Sequence, residues 1–245
     1  LVQGADTILA GVRNANLGDN SATFQGKGIS SRGNIWLYGL NNSDNPLFGQ
    51  MLYLTNGKST EGLRYDIFTK DPESAEEDVA RVIEEHGELD LSKSNILTGY
   101  GFAALRDGTL STQRNTMQDW WMYWGPHNTT HGHADALNLG LDAFGLNMAP
   151  DLGYGSSGST NSKWVSQWVE GTPSHNTVVV NNQQQTRLRQ SHFPLHFDDS
   201  GDVKVMDIDV PDAYRNVVDA YRRTIVSVAI DETVSYALDF FRIDL

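Results

Sequence analysis

Near Thr98 the hydrophobic period of this chain changes, and that change limits its possible folds more than any other feature. Before it, apolar residues recur at helical spacing. Ile8, Leu9 and Val12 fall at such intervals, and Asn45-Pro46 precedes Leu47, Phe48, Met51, Leu52 and Leu54 with Gly57 just beyond, which predicts a capped helix with proline in its first turn. Ser74 and Glu77 form a capping-box pattern after Pro72, with Val79, Val82 and Ile83 on one side and Gly87 past the end. After Thr98 the period is two, interrupted by turn residues. It predicts strands at Gly99–Arg106, Met117–Trp124, His133–Ala143, Leu146–Tyr154, His175–Val180, Asp202–Asp209, Tyr221–Ile230 and Thr233–Ile243. The last two read as a hairpin around Asp231-Glu232, and the boundary between the two regimes falls at residues 88–97. The expected class is therefore α+β, with a helical segment over residues 1–95 and an antiparallel sheet region over 96–245.

Charge narrows the choice of partner. A formal charge of -13 argues against broad binding to nucleic acid or to an anionic membrane, because both depend on a basic field. Arg187, Arg189, Arg222 and Arg223 are the clusters that could make a local basic patch, and they read equally well as strand-edge or surface pairs. No apolar run is long enough for a membrane span, and the absence of cysteine removes disulfide and thiolate chemistry. The sequence opens on Leu1 and is still strand-like at Leu245, so it reads as a fragment of a longer chain.

Chemistry concentrates in His131-Gly132-His133-Ala134-Asp135. On a strand, residues at i, i+2 and i+4 share a face, and imidazole is the commonest metal ligand near neutral pH. The pattern invites a metal hypothesis and fits a plain polar strand face about as well. Asp151 and His175 are further candidates, which could instead be a turn aspartate and a hydrogen-bonded strand histidine. A tight turn at Phe144-Gly145 would set Asp151 beside Asn138 and not beside His133. In Trp120-Trp121-Met122-Tyr123-Trp124 the first, third and fifth residues share one strand face, and Trp121 and Tyr123 share the other. One face must meet the core, and the second is either a sugar-stacking platform or a second buried face, the latter being favoured. Trp124 and the loop residue His127 are candidate substrate contacts.

Three motifs taken in order, His131-Gly132-His133-Ala134-Asp135-Ala136-Leu137, Ala149-Pro150-Asp151-Leu152-Gly153-Tyr154 and Ser174-His175-Asn176-Thr177-Val178-Val179-Val180, strongly resemble the heparinase II/III family. Gly101-Phe102-Ala103-Ala104-Leu105-Arg106 and Ala237-Leu238-Asp239-Phe240-Phe241-Arg242 look like that family's sandwich strands, so the resemblance spans roughly residues 96–245. It implies the end of an (α/α) toroid followed by an antiparallel β-sandwich, in a periplasmic or secreted lyase that cleaves a uronic-acid-containing polysaccharide by β-elimination. It further implies that His131 works in the cleft as acid or base, and that His133, Asp151 and His175 hold a structural zinc ion. The family's catalytic tyrosine and its carboxylate-neutralising partner have no clear match in residues 1–95. Tyr38 and Tyr53 read as core there, and the missing pair is expected upstream of Leu1.

Two other classes compete with the lyase. A cupin-like metal enzyme would also set H-x-H on a strand, but Ala136-Leu137-Asn138-Leu139-Gly140 lacks the glutamate that such a site adds. A non-catalytic carbohydrate-binding sandwich would use the histidines only to fasten loops.

Overall fold

The computed structural model describes residues 7–9, 13–15, 17, 33–65, 71–109, 115–127, 132–153 and 165–245. It divides into two compact units, one formed by Leu1–Ile8 with Gly28–Leu91 and the other by Leu9–Lys27 with Ser92–Leu245.

The first unit is helical over most of its described length: α1 is Gly33–Asn42, α2 Leu47–Thr55 and α3 Pro72–His86. The helix α2 begins after this pair, but Pro46 and not Asn45 occupies the N-cap position and no side chain caps it; Asn45, one residue earlier, accepts the Leu47 N–H at 3.0 Å. Of the apolar face expected on α2, Phe48, Met51 and Leu52 are buried and Leu47 and Leu54 half-buried, with Trp36 of α1 against the Phe48 ring at 6.3 Å. In α3 the cap is Asp71 and not Ser74. The Asp71 carboxylate accepts the Ser74 N–H at 3.1 Å, which places Pro72 in the first turn, where its missing N–H costs nothing. Gly57 and Gly87, both at a φ of 72°, follow the ends of α2 and α3. Three apolar residues are too few to fix a period, and the expected helix at Ile8 and Leu9 is a short strand, β1 (Ile8–Leu9), followed by β2 (Arg13–Asn14). Val12 lies outside the described residues. Tyr38 is 66% exposed and is not core; Tyr53 is half-buried.

Besides Leu9 of β1 and all of β2, the second unit holds two antiparallel sheets, of five and four strands. One runs in chain order through β3 (Asn95–Leu97), β4 (Phe102–Asp107), β5 (Gln118–Tyr123), β6 (Asn138–Ala143) and β7 (Leu146–Asn147). The other contains β8 (His196–Asp198), β9 (Val203–Asp209), β10 (Ala220–Asp231) and β11 (Val234–Asp244), ordered β11-β10-β9-β8. Register explains the core. Ala103 pairs with Met122 and Met122 with Leu139, so these residues share one face, and they pack with Met206, Ile208, Tyr221 and Ile225 of the other sheet. On the opposite face Phe102, Ala104, Trp121 and Tyr123 pack with Leu9 and Ala15. Both faces of β5 are therefore buried, as favoured from sequence. At one edge Asp107 joins the sheets, accepting from Lys204 Nζ at 2.7 Å and from Ser227 Oγ at 2.8 Å.

Strand expectations fail mainly around the motif residues. The strand expected to begin at His133 begins at Asn138, and the one expected to reach Tyr154 is described only at Leu146–Asn147. His175–Val180 forms no strand: a 3-10 turn at Thr172–Ser174 leads into bends. Strands β3 and β8 lie outside the expected set, being too short to show alternation. The β10–β11 hairpin closes with Asp231 opposite Val234, one residue later than expected. No described helix is long and apolar enough to cross a membrane.

Candidate metal centre

Two hydrogen-bonded loops and one turn bring the motif residues together. Phe144 and Gly145 both take positive φ, 55° and 78°, as a tight hairpin turn requires, and Ala143 faces Leu146 across it. Continuing that register sets Asp151 opposite Asn138, and Asn138 Nδ2 donates to Asp151 Oδ2 at 2.6 Å. The other Asp151 oxygen accepts the Gly153 N–H at 2.8 Å. Asn138 also uses its Oδ1, accepting the Asn176 N–H at 2.9 Å, so it ties the residue after His175 to the Asp151 carboxylate.

The histidine loops are fixed by buried amide and guanidinium groups. Gln185 mimics a neighbouring strand: it accepts the Ala136 N–H at 2.7 Å and donates to the Ala136 carbonyl at 3.0 Å. Arg223 forms a two-pronged pair with Asp239 at 2.9 and 2.7 Å. Its remaining nitrogen donates to the Leu137 carbonyl at 2.8 Å and the Asn176 carbonyl at 2.5 Å. Leu137, at a φ of +59°, turns the chain between Asp135 and β6.

At the centre, His133 Nδ1 and His175 Nε2 are 3.3 Å apart, and His175 Nε2 is 3.5 Å from Asp151 Oδ2. His175 Nδ1 lies 2.8 Å from the Gly171 carbonyl, which can only accept, so this nitrogen carries the proton and Nε2 keeps its lone pair. Metal-binding imidazoles are held this way, with the far N–H on a backbone carbonyl. Burial holds the His175 pKa below its ordinary value, favouring the neutral ring; the Asp151 charge opposes that shift in part.

Asp135 stands at the same place. A carboxylate oxygen of Asp135 and ring nitrogens of His133 and His175 all lie within 4.8 Å of one another. The residue is fully buried, and no other described residue donates a hydrogen bond to either oxygen. Burial, and then the charge of Asp151, push its pKa well above the ordinary carboxylate range; its own backbone N–H offsets this in part. Two imidazoles and the Asp135 carboxylate mutually within 4.8 Å, with Asp151 3.5 Å from His175, are a donor set that suits a divalent cation, so the residues present fit a metal.

The other expected site residues are distributed differently. His131 lies outside the described residues. Trp124 is wholly buried in the inter-sheet core, its indole N–H donating to the His192 carbonyl at 2.8 Å, so it offers no face to a sugar. His127 is 1% exposed, with Nε2 near the Thr186 carbonyl at 3.0 Å and the Leu188 N–H at 3.1 Å; it fastens one loop to another and is not open to substrate. Asp135, part of the His131–Asp135 motif, joins the site as a candidate ligand that the expected zinc set did not include, and Gln185 and Arg223 join it without having been expected there. Of the three, only Asp135 carries a signal in the sequence, its position two residues after His133.

Residues 99–194 match the family model described as heparinase II/III-like, C-terminal, a stretch that contains His131, His133, Asp151 and His175. No curated protein sequence matches significantly. Among solved structures, a heparinase III is similar at 18% identity and a TM-score of 0.58, over 96% of this chain and 30% of its own. The heparan sulfate lyase HepC of Pedobacter heparinus is similar at 15% identity and a TM-score of 0.58, with the same coverage. Another heparinase III gives 13% and 0.52, over 92% of this chain and 31% of its own. At these identities the likeness is one of fold, and the chain spans 30% of the length of the first of these structures.

Proposed function

We propose that this chain is the sandwich region, with the adjoining end of an (α/α) toroid, of a lyase that cleaves a uronic-acid-containing polysaccharide by β-elimination. The observation that carries this reading is the meeting of His133, Asp151 and His175, drawn from three separate motifs, in one buried cluster on a heparinase-like fold. The family match over residues 99–194 supports the same reading.

The reaction needs the uronate carboxylate neutralised, a base for the C5 proton and an acid for the departing O4. In this reading His131 supplies a proton-transfer group, and a tyrosine and a carboxylate-neutralising residue come from the remainder of the toroid. His133, Asp151 and His175 would hold zinc, which when bound neutralises carboxylate charge and fixes the loops. The chain's own described residues hold the loops of the cluster: Gln185 and Arg223 fasten residues 136–137, and Asn138 binds Asp151 to the His175 loop. A periplasmic or secreted location fits a polymeric substrate that is met outside the cell.

The test is turnover by the full-length protein. Heparan sulfate, hyaluronan and alginate are each incubated with it, and ultraviolet absorbance from the unsaturated product is followed. Release of product from any of them supports the reading. Intact zinc binding with no cleavage of any uronic polysaccharide would leave the non-catalytic carbohydrate-binding sandwich.

A further inference from the structure

We propose that Asp135 is a fourth protein ligand of the same ion, so that the centre is a closed set of two histidines and two aspartates with no position left for water. This rests on the reading of the cluster as a metal centre and extends it by one residue.

The contrast between the two aspartates is the starting point. Asp151 is supplied with donors, one on each oxygen, from Gly153 and Asn138. Asp135 is equally buried and has no donor among the described residues beyond its own backbone N–H. A carboxylate in that position needs a cation or a proton, and a proton would still leave the second oxygen unpartnered. The nearby groups favour the cation: a carboxylate oxygen of Asp135 is within 4.8 Å of the ring nitrogens of His133 and His175. Ligand atoms bound to one zinc ion at about 2.0–2.2 Å stand at most about 4.4 Å apart, so Asp135, His133 and His175 are already close to sharing a shell, and Asp151, 3.5 Å from His175 but outside that group of three, is the ligand that must close in further.

Charge points the same way. Asp135 and Asp151 carry two negative charges when ionised, and one divalent ion balances both. With four protein ligands the ion has no open position, which is the arrangement of structural and not of hydrolytic zinc.

The test uses the full-length protein, stripped with a chelator and reloaded with Zn²⁺ or Co²⁺ alone. Zinc affinity is measured by competition with a chromophoric chelator for the wild type, Asp135→Asn and Asp151→Asn. Loss of an outer-shell partner typically lowers affinity by about 10–100-fold. Asp135→Asn is expected to exceed that range and to change the visible spectrum of the Co²⁺ form. A fall inside that range with an unchanged Co²⁺ spectrum would place Asp135 outside the shell and overturn the proposal. An arm that needs no variant covers the case in which Asp135→Asn does not fold. Electron-nuclear double resonance of wild-type Co²⁺ protein in deuterated water should show no deuteron at coordinated-water distance, and a strong signal there overturns the closed set. Failure of the wild type to bind either metal overturns the metal reading itself, and this inference with it.

Discussion

His131 and His133 stand two residues apart, and the lyase reading gives them different failures. His133 is buried against His175, so His133→Ala removes one member of the cluster and leaves the others enclosed without it. The expected outcome is loss of bound zinc and a lower melting temperature. His131→Ala should keep zinc and fold while lowering turnover of the full-length protein by about 10²–10⁴-fold, the usual worth of a positioned acid or base. Metal analysis, thermal melting and product absorbance on both variants decide it, and equal metal loss in the two would favour the cupin-like alternative. A second residue-scale prediction concerns Tyr221. Its hydroxyl donates to the Val178 carbonyl at 2.5 Å, accepts from Gln185 at 3.1 Å and lies 2.8 Å from the Thr177 hydroxyl. Burial raises its pKa to about 12, above the unfolded value of about 10. A folded pKa above the unfolded one gives stability that is complete below pH about 10 and declines as the pH passes through about 12. Tyr221→Phe should cost about 1–3 kcal/mol at neutral pH, since Gln185 and Thr177 lose a buried partner. It should also flatten the alkaline side of the stability curve, measured by denaturant unfolding across that range.

At the scale of elements, the long strands were legible and the functional loops were not. Strands β5, β9, β10 and β11 alternate over six residues or more, and their expected limits lie within a residue or so of those found. The sequence around His133 also alternates, yet residues 132–137 are loop and turn. Their backbone groups are satisfied by side chains from distant segments, Gln185 on Ala136 and Arg223 on Leu137, which no local pattern reveals. Asn138 beside Asp151 could be read in advance because a two-residue turn fixes register by counting. Arg223 makes the corresponding prediction. It connects β10, through Asp239 of β11, to the loops that carry both histidines, and it is buried. Lysine cannot reproduce a two-pronged carboxylate pair while also serving two carbonyls. Arg223→Lys should therefore destabilise the fold by about 2–4 kcal/mol, toward the lower end of broken buried pairs because Asp239 is partly exposed. It should also weaken zinc binding by about 10-fold, as loss of an outer support does. Competition titration beside thermal melting separates the two effects, and a stability loss with unchanged affinity would confine Arg223 to packing.

For the whole molecule, the cluster is a cross-link between parts of the chain that no strand pairing joins directly. His133 and His175 are 42 positions apart, and Asp151 lies between them beyond a hairpin turn. Unfolding would separate these groups, so an ion held by them binds the folded chain far better than the unfolded one. Such linkage has a fixed form: stability rises with the logarithm of free metal, by about 1.4 kcal/mol per tenfold once the site is nearly saturated. Raising free zinc to about a hundred times its dissociation constant should then add about 2.7 kcal/mol over the chelated protein. The two sheets share one apolar core, independent of the ion, so the chelated chain should remain folded at lower stability. His175→Ala should lie near the chelated wild type and show no slope with zinc. Denaturant melts at a series of buffered zinc concentrations measure both lines. A wild-type midpoint that stays constant across that series would mean that the folded cluster gains no cation, and that Asp135 is neutralised there by a proton.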